Sequence, residues 1–75
     1  MVEKTKIMKL SEYNSTLNKY RTSLDDVSDL TNDDIIGIYL ADTENVDQYD
    51  IAVNKVIREK RINGDVKIEY TLYNE

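Results

Sequence analysis

Val66, Ile68, Tyr70 and Leu72 alternate with Lys67, Glu69, Thr71 and Tyr73 near the end of the chain. Successive side chains on an extended strand point to opposite faces, so this order predicts a strand over residues 66–73 with one apolar and one polar face. A single strand is not stable in water. The alternation therefore demands partner strands and a layer that covers the apolar face. Three candidates can pair with it: the weakly alternating segment Val2–Lys9, the segment 35–40, or the same strand of a second copy.

The covering layer is legible as helical periodicity. Leu10, Tyr13, Leu17, Tyr20, Leu24 and Val27 recur at spacings of three and four, one apolar stripe on a helix over residues 11–28 with Ser11 as its N-cap. The stripe reads as the inner face of a helix packed on the domain's own core, since two of its six positions are Tyr, a poor coiled-coil seam. Val46, Tyr49, Val53, Val56 and Ile57 predict another helix over residues 46–62. Lys55, Arg58, Lys60 and Arg61 would complement its C-terminal dipole, and Asn63-Gly64 would end it in a left-handed turn. Residues 35–40 are ambiguous. Their β-branched content suits a strand, while Thr31-Asn32-Asp33-Asp34 reads as a helix start with Thr31 as cap. The balance favours a short helix despite Gly37, which weakens a helix interior. The expected fold is a small α+β domain over residues 1–75, two or three helices packed on a small sheet that includes the C-terminal strand.

Composition narrows the function. The 75 residues include no Cys and no His, which excludes disulfides, thiol chemistry and the usual zinc sites. No Gly-rich phosphate loop and no nucleophile elbow occurs, so catalysis is not expected. Asp42-x-Glu44-x-x-Asp47-x-x-Asp50 lacks the glycine and the closing glutamate of an EF-hand loop. No cofactor or metal is expected. The first ten residues carry Glu3, Lys4, Lys6 and Lys9 and no apolar core of a signal peptide, and no apolar run approaches a membrane span. A cytoplasmic protein without membrane contact is expected. All six aromatic residues are Tyr, a residue suited to interfaces that are half apolar and half wet.

Charge is segregated along the chain. Between Thr22 and Asn54 there is no Lys or Arg, while Asp25, Asp26, Asp29, Asp33, Asp34, Asp42, Glu44, Asp47 and Asp50 give this stretch a charge of −9. Residues 1–21 hold five bases against two acids, and residues 55–75 five against four, which leaves the chain at −5. Small soluble domains usually intersperse the two signs. Eight of these nine acids are Asp, a poorer helix former than Glu, so helix stability does not explain them. Like charges repel one another in a folded chain. A run of carboxylates about 5–6 Å apart on a helix presents negative charge at a spacing similar to that of nucleic-acid phosphates. Such a surface competes for the Lys and Arg residues that otherwise neutralise a phosphate backbone. The cluster Lys55, Arg58, Lys60 and Arg61 is not read as a nucleic-acid contact, because a binder of this size should be basic overall.

In size, acidity and lack of catalytic residues the chain resembles the small acidic host-takeover proteins of bacteriophages that act as DNA mimics. The resemblance implies a non-enzymatic inhibitor working in the host bacterial cytoplasm. It would occlude the basic DNA-binding surface of a host nucleic-acid-binding protein: a nucleoid-associated protein, a CRISPR effector, RNA polymerase, or a DNA-repair or restriction enzyme. The nine acids would form the partner-binding face, with Tyr39 or Tyr49 adding apolar contact, and the chain would not bind nucleic acid itself. The rival expectation is a regulatory module that binds a partner through its helices or exposed strand, its acids serving solubility. A homodimer is expected, because the C-terminal strand has few evident partners within the chain and the first helix offers a long apolar stripe.

Overall fold

The computed structural model describes residues 1–23, 29–61 and 63–73. In chain order these form β1 (Val2–Lys9), α1 (Leu10–Ser23), α2 (Asn32–Glu44), a single 3-10 turn (Gln48–Asp50), β2 (Ile51–Arg58) and β3 (Asp65–Leu72). The three strands make one antiparallel sheet in the order β1-β3-β2, with two helices packed on it. The α+β architecture expected from the sequence is present, and the C-terminal strand lies at its centre. β3 therefore takes both of its partners from its own chain, and the sheet does not require a second copy to pair that strand.

Register explains which residues form the core. Val2 stands opposite Leu72 and Met8 opposite Val66 on one side of β3, while Ile51 stands opposite Leu72 and Val56 opposite Ile68 on the other. Directly paired residues share a sheet face. The apolar side of β3, Val66, Ile68, Tyr70 and Leu72, thus joins Met8 and Ile51 beneath the helices. Tyr13 and Leu17 from α1 and Ile35, Ile36, Leu40 and Ala41 from α2 close the core from above. Leu10 and Tyr20 flank it as the α1 stripe predicts, while Leu24 and Val27 of that stripe lie outside the described residues. The opposite sheet face, with Ile7, Lys67 and Ile57 in one row, is open to solvent.

α1 starts at Leu10, directly after β1, so Ser11 lies in its first turn and not at its cap. The Leu10 N–H donates to the Gly64 carbonyl at 3.0 Å, which ties the start of the helix to the β2–β3 connection. Residues 35–40 are helical, and the sequence signal for the start of that helix is accurate. The Thr31 hydroxyl accepts from the Asp34 N–H at 3.2 Å, and the Asp34 carboxylate accepts from the Thr31 N–H at 3.1 Å, a complete capping box. Asn45, left-handed at φ 58°, ends α2.

The helix expected over residues 46–62 is absent: Ile51–Arg58 is the edge strand β2. The register between β2 and β3 shifts between Val53 and Lys55, which makes Asn54 the extra residue of a bulge. Inward residues on β2 run Ile51, Val53, Val56, so one step of two becomes a step of three and imitates helical spacing. Ile51, Val53, Val56 and Ile57 are also β-branched, a strand preference that apolar spacing does not register. The bases assigned to a helix C-terminus fall elsewhere. Lys55 and Arg58 stand on β2, while Lys60 and Arg61 lie between the strands. Gly64 does not adopt positive φ. It is needed because a Cβ there would lie 2.5 Å from the Glu59 Cβ and 2.9 Å from the Arg61 carbonyl oxygen.

Candidate functional site

The nine acids meet different fates. Asp25 and Asp26 lie outside the described residues. Asp29, Asp33, Asp34, Asp42 and Asp47 are exposed, and Asp50 is half-buried. Glu44 is drawn inward. Its carboxylate accepts from Lys4 Nζ at 2.9 Å and from the Tyr70 hydroxyl at 3.0 Å, clamping the end of α2 to β1 and β3. The Lys4 hydrogen bond, then that of Tyr70, holds the Glu44 carboxyl below the usual range. Burial, then the Glu44 hydrogen bond, pushes the Tyr70 phenol up to about 12. Both shifts are those of a structural clamp.

Three exposed aspartates also have local roles. Asp34 closes the capping box, and Asp47 caps the 3-10 turn by accepting from the Tyr49 N–H at 2.9 Å. Asp42 accepts from the Tyr20 hydroxyl at 2.8 Å, and Tyr20 packs edge-on against Tyr39 with ring centroids 5.9 Å apart. Burial, then Asp42, pushes the Tyr20 phenol up to about 12. None of these contacts neutralises a carboxylate. The ion pairs among the described residues are Lys4–Glu44, Lys9–Asp65 and Arg61–Glu59, and they draw on none of the five exposed aspartates.

Fold geometry gathers four of these five around one tyrosine. The 3-10 turn packs beside α2 and leaves a hollow on either side of Tyr49. The first hollow lies between α2 and β2, with Asp33 and Asp34 among its walls; the second includes Asp42 and Asp47. Tyr49 borders both and is 82% exposed, whereas Tyr39 is half-buried against Tyr20. Among the described residues no basic side chain lines either hollow. At the N-terminus of α2 the helix dipole offers roughly +0.5 of an elementary charge and Arg21 donates to the Asn32 Oδ1 at 2.7 Å; together these offset part of the charge of Asp33 and Asp34 and leave Asp42 and Asp47 at the other end. Among the described residues no three acidic side chains converge as a metal site, and no helix is long and apolar enough to cross a membrane.

No match was found among known protein families, curated proteins or solved structures. The site is therefore read from its own chemistry. The acidic run in the sequence pointed to this region, but not to the role of Glu44 in the core clamp or to the position of Tyr49 between two hollows. The first needed the approach of α2 to β1, a contact forty residues apart in the chain. The second needed the 3-10 turn in place of a helix.

Proposed function

We propose that the protein is a non-catalytic acidic inhibitor whose α2 and 3-10 turn occupy the basic nucleic-acid-binding surface of a host protein. The observation that carries this reading is the set Asp33, Asp34, Asp42 and Asp47, exposed and in no ion pair among the described residues, around the exposed Tyr49. A partner's Lys and Arg can pair with these carboxylates and release bound counterions, as they do on a phosphate backbone. Charge of one sign steers the encounter and makes it fast and salt-sensitive. Tyr49 supplies apolar contact in the middle of the charged rim, the position where interface energy concentrates. The same field repels phosphates, so the chain itself does not bind DNA.

The test is capture of partners from bacterial lysate at low and high salt, followed by competition with DNA for each basic protein captured. The expected result is displacement of DNA at low salt that weakens steeply as salt rises. Binding that is indifferent to salt and leaves DNA in place would overturn the proposal. It would move the contact to the open sheet face, where Ile7 is 63% and Ile57 42% exposed.

A further inference from the structure

The helix-interior glycine of α2 is unexplained by the fold. Gly37 does not adopt positive φ, so its backbone does not call for glycine. A Cβ at this position would meet only the Val53 Cγ2, at 3.8 Å, an ordinary van der Waals contact. Packing therefore does not call for glycine either, although glycine is the poorest helix former after proline. What Gly37 does is keep a groove open. Gly37, Ile38 and Val53 form the half-buried floor of the hollow between α2 and β2, and Asp33, Asp34 and Tyr49 stand exposed along it. Its volume is about 390 Å³, toward the small end of ligand pockets at roughly 300–1,000 Å³.

We infer that this groove receives an arginine side chain of the partner, an inference that rests on the acidic-surface reading above. The groove offers one feature for each part of arginine. Its apolar floor suits the three-carbon stem, which packs on apolar surface while the charge stays in water. The Asp33 carboxylate suits the guanidinium fork, Asp34 adds charge beside its capping bond, and the Tyr49 ring at the border suits the flat cation. Lysine shares the charge, but its compact ammonium neither forks nor stacks as well. The exposed acids draw either base, whereas the groove selects arginine.

The test titrates the intact chain with acetylated tetra-arginine and tetra-lysine peptides at two salt concentrations, with backbone amide shifts read by NMR. The wild type should bind the arginine peptide about two- to fivefold more tightly, the range of an exposed cation–aromatic contact. Shifts should centre on Gly37, Ile38 and Tyr49. Gly37→Leu, which fills the groove, should bring the affinity of the arginine peptide down to that of the lysine peptide. Tyr49→Ala, at a side chain outside the core, should do the same without a risk to folding. Asp33→Asn should weaken both peptides.

Equal binding of the two peptides, unaffected by Gly37→Leu or Tyr49→Ala, would overturn the groove while the acidic surface stands. Arginine-selective binding that ignores salt would leave the groove and overturn the acidic-surface reading. Absence of binding by either peptide would overturn both.

Discussion

Glu44 shows how one side chain can belong to an acidic run by sequence and to a half-buried clamp between α2 and the sheet by structure. Its carboxyl is held below its ordinary value of 4.5 by Lys4 and then Tyr70, so folding favours the ionised form. That stability is fully present above the ordinary carboxylate range and drains as pH falls through the lowered value. Tyr70 acts at the other end of the scale. Burial and Glu44 favour its neutral form, so its contribution is present below its ordinary 10.0 and is lost as pH rises toward about 12. Glu44→Gln should cost about 1–3 kcal/mol at neutral pH, the loss of hydrogen bonds to a charged group. It should also flatten the acid limb of a stability-against-pH curve measured by urea unfolding. Gly64→Ala should cost about 1–3 kcal/mol by overpacking, because the new Cβ meets the Glu59 Cβ and the Arg61 carbonyl oxygen at closer than contact distance. Thermal melts would register that loss. A Gly64→Ala melt equal to the wild type would show that the β2–β3 connection yields freely.

At the scale of elements, α2 combines a strong start with a weak middle. Thr31→Ala removes the hydroxyl half of the capping box and should lower stability by about 0.5–2 kcal/mol. The acid three residues after the cap marked this helix in the sequence, even though residues 35–40 by themselves read equally as strand. Gly37→Ala should have the opposite sign, raising stability by about 0.5–1 kcal/mol, since the added methyl finds only the Val53 side chain at contact distance. A lower melting temperature for Gly37→Ala would mean that α2 needs its close approach to β2. β2 itself shows why an element can be misread. Apolar spacing distinguishes strand from helix only while the pairing register is unbroken, and the bulge at Asn54 breaks it. The bulge is also held in place: the Asn54 side-chain amide donates to the Thr71 hydroxyl at 2.7 Å, satisfying a buried polar group on the otherwise open sheet face. A bulged edge strand bearing Lys55 and Arg58 is a poor template for pairing with another sheet.

Taken as a whole, the molecule sorts its charges only in part. The exposed acids of α2 and the 3-10 turn lie on the helix side, where Lys4, Lys6 and Arg58 stand on the covered sheet face and Arg21 reaches Asn32 at the start of α2, while Lys55, Lys67 and Lys9 stand on the open sheet face among Glu3, Asp65 and Glu69. The triple replacement of Asp33, Asp42 and Asp47 by Asn should therefore act on binding far more than on folding. Asn still caps the 3-10 turn and still accepts from Tyr20, and the loss of like-charge repulsion should hold stability level or raise it. Affinity for a basic partner should fall by about 0.2–1 kcal/mol for each exposed pair lost, and its dependence on salt should become shallower. DNA competition at two salt concentrations reads both effects. Undiminished affinity with an unchanged salt slope would assign these aspartates to solubility.

The sequence by itself determined the fold class, the C-terminal strand, the stripe of α1 as far as Tyr20, the start of α2 and the segregation of charge along the chain. Each is written in neighbouring residues, as alternation, periodicity, a cap or a run of one sign. Tertiary structure decided the rest. The bulge that makes β2 a strand depends on pairing with β3. The removal of Glu44 from the exposed acids depends on Lys4 and Tyr70, which reach it from two different strands. The hollows beside Tyr49 exist only where the 3-10 turn packs against α2. These features depend on contacts between residues far apart in the chain, and local patterns of residue type carry no record of such contacts.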